Sequence, residues 1–218
     1  MDKDEFESAL IYQQETDDIL GQEFQIKGRI CKATIRKVFE RLSAEEAWDY
    51  FTDYVIENYP LTKAALVFGL RCAFIYGEGH GGATYFFKRI GLRNILHADE
   101  RKLYDSLPKT ITIYRGINKL EIDRGYLGLS WTLSRGVAEW FAFRGVHYDD
   151  VDGRVYSIKI RKSRMLALFL DRNESEVVFP YASTKYKSLK LVTDKPTDYF
   201  VAELQNKRNQ NKTIIHVK

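Results

Sequence analysis

Three short stretches carry side chains whose types and spacing could do chemistry. In "TIYRGI" (112–117), Arg115 closes an alternating run and is followed by Gly116. A guanidinium fork matches phosphate oxygens, and a glycine lets a ligand approach the backbone. In "LSWTLSRG" (129–136), Ser130 and Thr132 stand two residues apart. On a strand, that spacing puts both hydroxyls on one face and Trp131 on the other. In "NESEVVFP" (173–180), Glu174 and Glu176 have the same spacing. If that run is a strand, both carboxylates face one cleft. Neighbouring carboxylates raise one pKa of the pair. They suit a reaction that develops positive charge, or removal of a proton from a poor nucleophile. Taken singly, each stretch has a plain structural reading: an arginine in a turn, a polar strand edge before a helix cap, a solvated loop end.

The elements that must position these residues lie mostly after Pro108. "TITIYRGI" (110–117) and "RVYSIKI" (154–160) alternate with β-branched and aromatic residues and predict strands. "MLALFL" (165–170), "EVVFP" (176–180), "SLKLV" (188–192) and "TIIHVK" (213–218) predict further short strands. Among them one helix is expected, capped by Ser134, with Val137, Trp140 and Phe141 as its apolar stripe. Before Pro108 the texture is helical. Ser43-Ala44-Glu45-Glu46 has capping-box form, and a helix carrying Ala47, Phe51, Tyr54, Val55 and Tyr59 stops at Pro60. Thr62 opens a second helix that ends at Gly77, and "ADERKLYDSLP" (98–108) is a short polar one. The fold class is therefore α+β, with a helical region 1–108 packed on a sheet-rich region 109–218 as one compact unit.

Composition bounds the alternatives. Of 218 residues, 44% are apolar, enough to bury a core. The net charge of +4 is too small for a dedicated nucleic-acid binder and leaves room for an anionic ligand. Cys31 and Cys72 form no disulfide or metal pattern, so a reducing, cytoplasmic setting is expected. No apolar run reaches membrane-span length, and the acidic, polar opening residues are not expected to act as a secretory signal. The glycine-rich "GEGHGG" (77–82) lacks the preceding strand and the Lys-Ser/Thr of a phosphate loop, and reads as a helix C-cap. His80, His97, His147 and His216 have no metal-ligand spacing, and no metal is expected.

Together and in this order, aromatic-Arg-Gly, Ser-x-Thr entering a helix and Glu-x-Glu entering a strand resemble the ADP-ribosyltransferases. The resemblance is to their Arg-Ser-Glu (cholera-toxin-like) class, including small phage and bacterial toxin-type members, and it covers residues 108 to 218. It implies a split β-sheet core and NAD as substrate. It implies that Arg115 holds the NAD phosphates, Gly116 receives the nicotinamide amide, and Ser130 orders the catalytic Glu176. Thr132 falls at the third position of a Ser-Thr-Ser motif whose middle is here Trp131. Glu174, the first glutamate of Glu-x-Glu, would orient and deprotonate an arginine acceptor, whose pKa lies above about 12. Core packing is the favoured reading of Trp140 and Phe141, and the resemblance adds a place for one or the other at the edge of the nicotinamide pocket. "FLDRN" (169–173) stands where the family has its recognition loop, without an aromatic beside Glu174; the nearest is Phe169.

The implied function is mono-ADP-ribosylation of a macromolecule by a toxin or a phage or defence effector, with arginine on protein as the leading acceptor. Base modification of RNA or DNA is the alternative, with Lys185, Lys187 and Lys190 beside Tyr181 and Tyr186 as a strand-holding surface. NAD hydrolysis without an acceptor is a third. The resemblance leaves room for an antitoxin or regulatory partner, for which region 1–108 is the expected docking element.

Overall fold

The computed structural model describes residues 3–77, 80–117, 121, 127–143, 153–180 and 189–195, with 3–13 by backbone alone. The expected strand at 213–218, the residues Tyr181, Lys185, Tyr186 and Lys187, and His147 and His216 lie outside the described residues. The chain is α+β and divides into two units, Met1–Ile95 and Leu96–Lys218. The polar helix Ala98–Ser106 thereby belongs with the sheet.

The first unit is helical. Ser43 and Glu46 form the expected reciprocal cap, and the helix Ala44–Asp49 follows. It runs on through a π-helical stretch, Tyr50–Val55, which the sequence did not announce, and a last turn, Ile56–Asn58. Thr62 Oγ1 accepts from Ala65 N at 3.1 Å to open the helix Lys63–Tyr76, which Gly77 closes. Trp48, Phe51, Phe74 and Phe87 are buried around this helix. Gly69 is required here, because a Cβ would lie 2.0 Å from the Phe51 ring. The described part of the glycine-rich loop packs on the same cluster: the His80 ring stacks on Phe74 and Trp48 Nε1 donates to Gly81 O at 2.7 Å.

Among the described residues the second unit is built on a six-stranded antiparallel sheet: β1 (Thr110–Ile117), β2 (Ser130–Thr132), β3 (Arg154–Arg161), β4 (Ala167–Phe169), β5 (Glu176–Val178) and β6 (Lys190–Thr193), in the order β4-β5-β2-β1-β3-β6. The central ladder pairs all eight residues of β1 with β3. The β1–β2 seam, by contrast, carries the single register pair Tyr114↔Thr132. Among the described residues the strands form one sheet, with a narrow β1–β2 seam. Lys162, just past β3, ties the sheet to the end of Ala98–Ser106 by donating to the carbonyls of Tyr104, Asp105 and Leu107.

The helix Arg135–Phe143 starts where expected, with Val137 N donating to Ser134 Oγ at 3.3 Å. Its buried face is not the expected one. Ala138, Glu139, Ala142 and Phe143 are buried, whereas Trp140 is 38% exposed and lies edge-on to Phe141. The reason is close approach. A Cβ on Gly116 would lie 1.9 Å from Ala138 O, so the helix backbone rests directly on β1. Only small residues fit that contact, and Ala138 and Ala142 supply them. Phe143 is buried beside them, whereas Trp140 turns outward and is not the core residue that apolar spacing suggested.

Candidate active site

Strand alternation builds the centre of the site. Thr132 on β2 stands opposite Glu176 on β5, and Phe169 on β4 stands opposite Glu176 from the other side. Direct partners in an antiparallel pair share a face, and Ser130 is two residues from Thr132 on the same face. The opposite face is apolar, with Trp131 and Phe179 edge to face at 6.2 Å and Val177 buried between strands. Ser130 Oγ donates to Glu176 Oε1. Glu176 is only 6% exposed. Burial beside Phe169 pushes its carboxyl up to about 7, against the opposing pull of the Ser130 hydrogen bond and the Arg172 and Arg115 charges. A carboxylate with that proton affinity can change its ionisation in the neutral range, as acid–base groups in sites do.

Arg115 approaches from the seam. Leu129 O is taken by Phe179 N at 2.9 Å, so the next carbonyl along β2, that of Ser130, points the other way, toward β1. The Arg115 guanidinium donates to it. Arg115 also pairs with Glu121, a partner no local pattern announced. The buried Arg115 Nε has no hydrogen-bond partner among the described residues. Gly128 makes room for this side chain, because a Cβ there would lie 2.8 Å from Arg115 Nη2. Gly116, for its part, has a structural role in seating the helix.

The second carboxylate arrives differently from the expectation. β5 begins at Glu176, and Glu174 lies before it in a loop. The two carboxylates are therefore not aligned by strand alternation, because Ser175 between them takes a left-handed φ of 45°. Arg172 and Asn173 are also left-handed, at 59° and 57°, a conformation that costs an L-residue about 1 kcal/mol or more. The loop holds this shape through bonds at several points. Leu170 N donates to the buried Glu100 at 3.2 Å, Thr132 Oγ1 donates to Glu174 O at 2.6 Å, and Leu133 N donates to Ser175 O at 3.1 Å. Thr132 Oγ1 in turn accepts from Ser134 N at 3.0 Å, which joins the loop to the start of Arg135–Phe143.

The result brings the two glutamates together through an arginine. Arg172 Nη2 is 2.9 Å from Glu174 Oε2 and 4.0 Å from Glu176 Oε2. The site thus unites Ser130, Thr132, Glu174 and Glu176, with Arg115 at its edge, and adds Arg172, Glu121 and Glu100, which the sequence reading passed over. Arg172 had a visible signal, its spacing of two and four from the glutamates. Phe169 is fully buried on β4, in register with Glu176. Trp140 and Phe141 lie on the outer side of their helix. Among the described residues no group of three or more metal-ligating side chains converges, and no helix is long and apolar enough to cross a membrane.

Comparison of the chain with protein-family models, with curated proteins and with solved structures gave no match.

Proposed function

We propose that this protein is an NAD-dependent mono-ADP-ribosyltransferase whose acceptor is an arginine on a protein, acting in the cytoplasm as a toxin or a phage or defence effector. The observation that carries the reading is the Ser130 hydroxyl bonded to the buried Glu176 carboxylate across β2 and β5. Arg115 on the adjoining strand completes the set that the resemblance to the Arg-Ser-Glu class requires.

The chemistry follows from these residues. Breaking the nicotinamide–ribose bond gives an oxocarbenium-like ribose, as in glycoside cleavage. A fixed anion at Glu176, bonded to the ribose 2′-OH, stabilises that charge where it develops. The pyridinium of NAD brings a positive charge that favours the ionised form of Glu176. Arg115 offers its guanidinium to the pyrophosphate, which must displace Glu121. Glu174 orients the acceptor guanidinium and takes its proton as the nitrogen attacks.

The test is incubation of labelled NAD with cell lysate and either the wild type or Glu176→Ala. Label that resists nuclease and yields to protease, and is absent with the variant, supports the reading. Label lost to nuclease makes the acceptor a nucleic acid. Nicotinamide release with no labelled macromolecule makes the protein an NAD hydrolase. Neither label nor nicotinamide sinks the enzymatic reading.

A further inference from the structure

We infer that Arg172 is an acceptor of this protein's own transfer, so that the chain ADP-ribosylates itself in cis at that side chain; this rests on the transferase reading above. An acceptor arginine must satisfy two conditions. Its guanidinium must sit against a carboxylate that can take a proton, and a nitrogen must stand beside the carboxylate that holds the ribose. Arg172 meets both before any substrate arrives: Nη2 is 2.9 Å from Glu174 Oε2 and 4.0 Å from Glu176 Oε2.

The pose is not a by-product of helical spacing. Arg172, Asn173 and Ser175 all have left-handed φ, which turns the chain so that Arg172 folds back over the two glutamates that follow it. Nor does the loop depend on this ion pair for its shape, since Glu100, Thr132 and Leu133 each bind its backbone. The Arg172 side chain is also 43% exposed, whereas that of Glu176 is 7% exposed. The guanidinium therefore stands at the open side of the buried carboxylate, where an incoming NAD would present its ribose.

The step balances without a further reagent. The bond between nicotinamide N1 and ribose C1″ breaks, and its electron pair leaves with nicotinamide. An Arg172 Nη forms the new bond to C1″ and gives its proton to Glu174. Because the acceptor is already seated, the reaction is first order in protein.

The experiment incubates the full chain with NAD, follows nicotinamide release, and maps modified residues by mass spectrometry. It uses the wild type, Arg172→Lys, and a mixture of wild type with Glu176→Gln. The expected result is one ADP-ribosyl group on Arg172 of the wild type, at a rate constant independent of protein concentration. Glu176→Gln, which keeps Arg172, stays unmodified in the mixture, and Arg172→Lys carries no group at that position. Release of nicotinamide, or transfer to added agmatine, with Arg172 unmodified overturns the inference and leaves the transferase reading standing. Modification of Glu176→Gln by the wild type overturns the cis assignment. No nicotinamide release and no modification overturns the transferase reading, and the inference with it.

Discussion

Ser130 donates its hydroxyl hydrogen to Glu176 across neighbouring strands, and that glutamate is buried against Phe169 with a carboxyl pushed up to about 7. A hydrogen bond to a charged group is worth roughly 1.5–3 kcal/mol. Ser130→Ala is therefore expected to lower kcat for nicotinamide release by about 10- to 100-fold. Because the Ser130 bond holds the Glu176 pKa down, the variant's pH–rate profile should move toward higher pH. Steady-state kinetics across pH would check both. An unchanged profile would mean that the hydroxyl does not bear on the carboxylate.

The same pKa has a consequence for stability. Glu176 is raised from 4.5 to about 7 on folding, chiefly by burial. Between those values the folded chain binds more protons than the unfolded one, so stability falls as pH rises through that window. Glu176→Gln lacks this titration. It should be more stable than the wild type at pH 8, by at most about 3 kcal/mol, with the gain shrinking toward pH 5. Thermal melts of both proteins over pH 5–8 would show the divergence; parallel curves would contradict a raised native pKa.

Glu121 occupies the guanidinium that the proposed mechanism assigns to the NAD pyrophosphate. Glu121→Gln removes a competing anion and should lower KM for NAD several-fold. The gain is limited, because a partly exposed ion pair contributes about 0.2–1 kcal/mol. Titration of NAD binding to both proteins measures it. A weaker affinity in the variant would show that Glu121 supports Arg115 in a productive pose and does not compete.

Two glycines separate fold from function. Gly116→Ala would drive a Cβ into Ala138 O, a backbone atom 1.9 Å away, and should lower stability by about 1–3 kcal/mol or more. Gly128→Ala meets only the mobile end of Arg115 at 2.8 Å. Its expected effect is on KM for NAD, with a melting temperature close to wild type. Melting and kinetics on the pair would show whether the two effects separate.

Local signals were legible where neighbours in sequence settle the matter. Ser43 with Glu46, Thr62 with Gly77, and Ser134 mark helix ends at the expected places because caps act within one turn. Period-two alternation gave β1 and β3, and with them the shared face of Ser130 and Thr132. The buried face of Arg135–Phe143 was not legible, because a glycine in β1 decides it. Nor was the route by which Glu174 meets Glu176. The strand begins at Glu176 as expected, but left-handed residues at Arg172, Asn173 and Ser175 keep Glu174 in the loop before it. Glu121 and Glu100 find their partners Arg115 and Leu170 only through the tertiary fold.

β5 is three residues long and opens with Glu176, facing Ser130 and Thr132, while Val177 faces the Trp131 side. A slip of one residue in the β2–β5 ladder would exchange those directions. The carboxylate would then be thrust against Trp131, and valine would meet the hydroxyls. Charge in an apolar layer is severely penalised. The backbone bonds of Ser175 and Phe179 to β2 and its flanks hold the same alignment. The glutamate that would do the chemistry thus also proofreads the assembly of the sheet that holds it.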